Sequence, residues 1–116
     1  MPQHEQQAGR ATHPWQELTF GERLVLAVLE HRVVRLRYHG HDRVIEPQLI
    51  GLHEAGEPML VAYQTGGGSR SGDVPGWRTF ITTSIEEVEV TDEHFADPRG
   101  DFDLGAHRMI EVFARA

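Results

Sequence analysis

The side chains with the greatest chemical potential in this 116-residue chain are its arginines. All eleven basic residues are Arg, and the chain contains no Lys and no Cys. Residues 32–43 carry a net charge of +3 and residues 86–103 a net charge of −7, within a total of −7. Because a guanidinium is a planar fork that binds paired phosphate or carboxylate oxygens, the basic segment predicts a local anion-attracting patch on an acidic protein.

A glycine-rich segment at residues 65–76 has the composition of a phosphate-binding loop but not its motifs. A P-loop needs Lys after its last glycine, and this chain has Asp73 there. The dinucleotide fingerprint and the nucleophile elbow both need Gly at the position of Ser71. Two interpretations remain, a connector that is mobile over residues 66–73 or a loop that contacts a ligand.

Three other arrangements of reactive side chains are weak signals. His39 and His41 have the spacing of two metal ligands, but they lie in a turn, and the chain has neither a Cys nor an H-E-x-x-H helix. The run Glu86–Glu89 is typical of a charged, exposed strand edge. A small hydrolase that uses Ser69 or Ser71 with a histidine is the least favoured function. We therefore predict no enzyme activity, no catalytic residue, no metal and no cofactor.

The spacing of apolar residues predicts the elements that carry these side chains. Residues 1–17 are rich in Gln and His and aperiodic, which indicates a flexible tail. Thr19 and Glu22 have the spacing of a capping box, and an apolar helical face follows it over residues 20–31. At residues 33–38 the apolar period changes from 3.6 to 2, which indicates a half-buried strand.

The rest of the chain continues as short strands. Pro47 cannot donate to a ladder, so its strand must have an edge or a bulge there. Residues 18–95 are predicted to form a mainly β, antiparallel barrel of about five strands with an N-terminal helix. Residues 96–116 are predicted to form an extension with a short docking helix, because apolar residues recur there at helix-like spacing. The further strands are expected at residues 44–52, 59–63, 77–81 and 87–91, and the apolar residues of the predicted C-terminal helix are Met109, Ile110, Val112 and Phe113.

The order of these features from Leu24 to Phe95 resembles that of the WYL domain family. The similarity consists of a strand that ends in Tyr, a Glu-Pro segment, a third strand, an Arg-x-Phe segment that leads to an Ile, and a final strand. The matching residues are Arg32-Val33-Val34 through Tyr38, Glu46-Pro47, Leu60 to Tyr63, Arg78-Thr79-Phe80, Ile85, and Val90-Thr91-Asp92 with Phe95. At the triplet that names the family this chain has Pro58-Met59-Leu60, and Ile81 and Ser84 replace two arginines.

The resemblance implies an SH3-like or Sm-like barrel of the kind found in bacterial transcription regulators. It also implies a non-catalytic, ligand-sensing role, with a nucleotide-like anion or, less favoured, single-stranded nucleic acid as the ligand. Arginines would hold the anion and aromatic side chains would stack a ring. Duplex DNA is not expected as a partner, because a basic face and a helix-turn-helix are both missing from the sequence. The predicted ligand-binding residues are Arg35, Arg37, Tyr38, Trp77 and Arg78.

Alternatives remain for these residues and for the function. Arg35 and Arg37 could instead form an exposed strand face paired with the acidic C-terminal segment, and Trp77 could pack in the core. A protein-interaction module with an SH3-like barrel is the second function, in which a strand edge near Pro47 pairs with a partner or with a second copy as a homodimer. The lack of Cys, of a signal peptide and of a long apolar run predicts a cytoplasmic protein that does not bind membranes.

Overall fold

The computed structural model describes residues 18–69, 72, 74–102 and 107–116. The tail predicted for residues 1–17 lies outside this part of the chain, as does Ser71. The described chain is mainly β, as predicted, and all of its strands are antiparallel. Its elements are helix α1 (Phe20–Leu29), strands β1 (Arg32–Tyr38), β2 (His41–His53), β3 (Pro58–Gly67) and β4 (Gly76–Ile81), a 3-10 turn (Thr82–Ser84), and strands β5 (Ile85–His94) and β6 (Met109–Arg115).

Helix α1 begins at the predicted capping box. The Glu22 amide donates to the Thr19 hydroxyl over 3.2 Å, and the Thr19 amide donates to the Glu22 carboxylate over 2.9 Å. Leu24, Ala27 and Val28 are buried on the face that packs against the sheet. In the part of the chain that the structure describes, no helix is long and apolar enough to span a membrane.

The strands form one open sheet in the order β4-β3-β2-β1-β5, and β6 adds to β2 outside this order. Strand β2 is 13 residues long. Its first half pairs with β1 and its second half with β6, while β3 follows its other edge. The register between β2 and β3 shifts between Pro47 and Leu49, which is the predicted bulge at the proline.

The turn between β1 and β2 determines which residues face each other across the first hairpin. His39 has φ +51° and Gly40 has φ +77°, the left-handed pair that a two-residue hairpin turn requires. Leu36 therefore lies opposite Arg43 in the ladder. The inner face of the sheet, covered by α1, carries the core, which includes Val34, Leu36, Tyr38, Ile45, Ile50, Leu60, Phe80 and Ile85.

The docking helix predicted for the C-terminal segment is wrong, because Met109–Arg115 is strand β6. The ladder with β2 shifts register twice, so that Ile110 and Phe113 have no Cα partner on β2. Each shift adds one residue to the alternation of the strand. Met109 and Val112 therefore lie opposite His53 and Gly51, on one face of the sheet although they are three positions apart, which resembles the spacing of a helix.

The glycine segment begins as part of the sheet. Gly66 and Gly67 pair with Val44 and Arg43, and the Gly68 amide donates to the Asp42 carbonyl over 2.9 Å. Gly67 has φ +84°, and a Cβ there would collide with the Asp42 carbonyl oxygen. Glycine is therefore required because the two backbones meet. Residues 66–68 are therefore hydrogen-bonded to β2, and the mobility of residues 66–73 stays a prediction.

Candidate functional site

The five predicted ligand-binding residues lie in three places. Arg78 and Tyr38 are on the inner face of the sheet, where Tyr38 belongs to the core and Arg78 shares a face of β4 with Phe80. Arg35 and Arg37 alternate with the core residues of β1 and therefore lie on its outer face. Trp77 lies on the face of β4 opposite Arg78. The structure thus brings Arg78 and Tyr38 together and separates both from the other three.

A residue that the sequence interpretation missed, Arg43, completes the inner cluster. Only 5% of Arg43 is exposed. Its Nη2 donates to the Tyr38 carbonyl over 3.1 Å, and its Nη1 donates to Gln64 Oε1 over 3.4 Å. The guanidinium carbon lies 5.5 Å from the Tyr38 ring centroid and 5.6 Å from that of Phe80. These contacts fix Arg43 by hydrogen bonds and cation–π attraction.

Three guanidinium nitrogens of this cluster are buried and have no hydrogen-bond partner in the part of the chain that the structure describes. They are Nε of Arg43 and Nε and Nη2 of Arg78. Arg78 Nη1 donates to the Trp77 carbonyl over 2.8 Å, which leaves the opposite edge of the guanidinium unused. Buried donors almost always have a partner in native proteins, because an unsatisfied one costs free energy. These atoms therefore indicate a site that a ligand completes.

The charges of the cluster point to the same conclusion. Burial lowers the pKa of Arg43, and the positive charge of Arg78 lowers it further, whereas Tyr38 acts in the opposite direction. Among the described residues, no carboxylate lies within ion-pair distance of either guanidinium. Two like charges that are buried side by side are costly unless an opposite charge joins them. An anion in contact with both guanidiniums would therefore be stabilised by them.

The outer arginines of β1 have carboxylates close by. Arg37 Nη1 lies 2.9 Å from Asp42 Oδ1, and its Nε lies 3.5 Å from Glu86 Oε1. Arg35 lies directly across from Glu89 of β5 in the ladder. This arrangement matches the alternative in which Arg35 and Arg37 form a charged, exposed face with acidic residues of the C-terminal part of the chain.

Trp77 belongs to an aromatic cluster on the outer face. Its ring packs against Tyr63 and Phe102 at centroid distances of 5.6 and 5.5 Å, and its Nε1 donates to Asp101 over 3.0 Å. The Arg99 guanidinium covers the Tyr63 ring at 3.6 Å. The Trp77 and Tyr63 rings are thus both in contact with other side chains of this cluster. Trp77 packs in the cluster and does not line the site of Arg78.

The same segment compensates the charge of Glu46. Arg99 Nε lies 3.0 Å from Glu46 Oε1, and the Arg99 amide donates to Gln48 Oε1 over 3.1 Å. Glu46 lies opposite Tyr63 in the ladder and therefore on the outer face of the sheet, away from Arg78.

The histidines of the hairpin turn do not form a recognisable site. The Tyr38 ring packs edge-on against His39 at 4.2 Å. His41 lies against Gly68, where a Cβ would come within 2.8 Å of its Nδ1. Within the residues that the structure describes, no group of three His, Cys, Asp or Glu side chains could hold a metal ion.

An apolar groove separates α1 from β6. It has a volume of about 500 Å³, and Val25, Leu26, Leu29, Ile50 and Phe113 are among its lining residues. All exposed large apolar residues of the described chain lie on these two elements, namely Phe20, Leu29, Ile110, Val112 and Phe113. Exposed apolar surface that is concentrated in this way is typical of an interaction site.

Comparison of the chain with protein-family models, with curated proteins and with solved structures finds no match. An assignment of function therefore rests on the contacts of the chain itself. Of these contacts, the inner pair of arginines has the clearest chemical meaning.

Proposed function

We propose that this chain is a cytoplasmic, non-catalytic regulatory module of the WYL type that binds an anionic, nucleotide-like ligand. The observation that carries this proposal is the set of buried, unpartnered nitrogens of Arg43 and Arg78. The motif resemblance, which includes Arg78, Phe80 and Tyr38, supports the same site. The sequential antiparallel order of β1 to β4, with β5 returning to β1, is compatible with an SH3-like barrel.

Binding is expected to couple directly to stability. The anion supplies the charge that the folded state lacks, so it binds the folded chain and not the unfolded one. A ligand present at about 100 times its Kd adds about 2.7 kcal/mol to the free energy of unfolding. A regulatory module of this type signals through a stabilised conformation and needs no reactive side chain.

The test is a thermal-shift screen with inorganic phosphate, mononucleotides, cyclic dinucleotides and short single-stranded oligonucleotides. We expect at least one of these anions to raise the melting temperature of the unaltered chain and not that of Arg78→Met. Arg35→Met, which removes a charge from the outer face, is the matched control and should respond like the unaltered chain. Equal stabilisation of all three proteins, or of none, would overturn the proposal.

The groove between α1 and β6 favours a second function, self-association. Strand β6 pairs only with β2 among the described strands, so its outer edge is open beside the groove. Identical edge strands can pair antiparallel about a two-fold axis and bury such apolar surface in both copies. Light scattering coupled to size-exclusion chromatography tests this function: a dimer that Ile110→Lys converts to monomers supports it, and a monomer at all concentrations contradicts it.

A further inference from the structure

The unpartnered nitrogens also define which part of a ligand the site recognises, an inference that rests on the proposed function. Nε and Nη2 of Arg78 belong to one edge of the guanidinium, and both are buried without a hydrogen-bond partner among the described residues. This edge donates two parallel hydrogen bonds and therefore matches two oxygens of one group. Nε of Arg43 adds a donor from a second guanidinium, close enough for the two charges to interact.

We infer that the site binds a terminal phosphate group, with three free oxygens and two negative charges, in preference to the internal phosphodiester of a nucleic acid. Two oxygens accept from Arg78 and the third accepts from Arg43. A diester has only two free oxygens and one charge, so it leaves one donor unsatisfied and one guanidinium uncompensated.

The aromatic side chains of the site do not offer a surface for a base. Phe80 is 1% exposed and Tyr38 is 7% exposed. The two rings pack edge-to-face on each other with centroids 4.9 Å apart, and both contact the Arg43 guanidinium. The Tyr38 hydroxyl accepts from the Ile81 amide over 3.2 Å. These rings hold Arg43, and the base or sugar of a ligand contributes little to its affinity.

Gln64 prevents Arg43 from turning away from the site. It is fully buried, accepts from Arg43, and donates from Nε2 to the carbonyls of Gly66 and Gly68, each over 2.9 Å. The amide is thereby fixed in the orientation that presents its oxygen to the guanidinium. A preorganised donor loses less entropy when the anion binds.

Isothermal titration of the full chain with AMP, cyclic AMP, adenosine and methyl phosphate tests the inference. AMP and cyclic AMP share a base and a sugar and differ in whether the phosphate is terminal. We expect AMP to bind at least about tenfold more tightly than cyclic AMP, the worth of one charge-assisted hydrogen bond. Methyl phosphate should bind within about threefold of AMP, which is less than 1 kcal/mol, and adenosine should not bind.

Two variants separate the shape of the Arg78 side chain from its charge. Arg78→Lys keeps the charge but lacks the paired donors, so we expect it to bind AMP about tenfold more weakly and to lose much of the preference over cyclic AMP. Arg35→Lys is the control and should leave both affinities unchanged.

The outcomes distinguish this inference from the proposed function. Equal binding of AMP and cyclic AMP by the unaltered chain would overturn the preference for a terminal phosphate and leave an anion-binding module. Binding of adenosine, or AMP binding far tighter than that of methyl phosphate, would overturn the statement about the base. Failure of every anion in the thermal-shift screen would overturn the proposed function itself.

Discussion

Two pairs of arginines on opposite faces of the same sheet differ in how their charge is compensated. Arg35 and Arg37 lie on the outer face of β1 beside carboxylates of β2 and β5, and Arg37 pairs directly with Asp42. Arg43 and Arg78 lie on the inner face, and the described part of the chain offers them no carboxylate. The charges are thus balanced where water already screens them and left unbalanced where burial makes them costly.

This difference shows that exposed charge and uncompensated charge lie in different places in this chain. The outer pair is the more exposed to solvent, but carboxylates of the same chain lie beside its guanidiniums. The inner pair is held in place by rings and amides that have no charge. Lack of compensation, and not the number of arginines, is therefore the basis of the proposed anion site.

The largest effect should come from the ring that supports the inner pair. Phe80→Ala removes a fully buried side chain that contacts Tyr38 and Arg43, so we expect the free energy of unfolding to fall by about 3–5 kcal/mol. Thr79→Ala, the exposed neighbour on the opposite face, should change it by less than about 0.5 kcal/mol. Urea unfolding followed by circular dichroism measures both. A loss below about 1 kcal/mol for Phe80→Ala would show that the inner face is not a packed core.

Next in size is the contact that joins the glycine segment to the hairpin carrying Asp42 and Arg43. Gly67→Ala should destabilise the chain by about 3 kcal/mol, because an unfavourable φ adds to a collision with the Asp42 carbonyl. Gly40→Ala is the matched control, since Gly40 also has a positive φ but open space around its Cα. Its cost should be about 1 kcal/mol in the same unfolding experiment. Equal costs would show that the close approach is unimportant.

The two arginine pairs should respond to neutralisation with opposite signs. In a buffer without phosphate or sulfate, Arg78→Met should raise the free energy of unfolding by up to about 1 kcal/mol, because an apolar side chain replaces a half-buried charge that has no carboxylate partner. Arg37→Met should lower it by less than about 1 kcal/mol. Thermal unfolding of both variants measures the difference. Destabilisation by Arg78→Met would mean that its charge is already compensated in the free protein.

The smallest effect should be that of salt on the outer pair. The ion pair between Arg37 and Asp42 is exposed, so a double-mutant cycle with Arg37→Ala and Asp42→Ala should give about 0.5 kcal/mol at low ionic strength. At about 1 M NaCl, where the Debye length is near 3 Å, the coupling should disappear. A coupling that survives this salt concentration would make the outer pair a structural element of the hairpin.

The sequence was informative about elements whose apolar period is undisturbed. The capping box of α1, the alternation of β1 and the bulge at Pro47 follow from single residues and their neighbours, and the structure has all three. The alternation of β6 is broken by two register shifts. Because bulges depend on the partner strand, the sequence of β6 alone could not distinguish that strand from a helix.

The candidate site is harder to predict, because charge and position along the chain assign Arg43 to a basic segment. A two-residue turn at His39 and Gly40 places it opposite the buried Leu36. The register of this hairpin is the sequence signal that places Arg43 on the inner face. The pairing of Glu46 with Arg99, 53 positions away, had no local signal. Tertiary contacts therefore determine which arginines form ion pairs with carboxylates.

The division of one edge of β2 between β1 and β6 has a consequence for how the chain folds. The hairpin of β1 and β2 closes through a two-residue turn, which forms on the microsecond timescale. The second half of the same edge pairs with β6, in which Leu49 lies opposite Arg115. Such pairings between residues distant in sequence form much more slowly. During that interval the backbone of β2 beyond Leu49 is an open template beside apolar side chains. A chain in this state can accept β6 from another molecule, so domain exchange is the characteristic error of this topology.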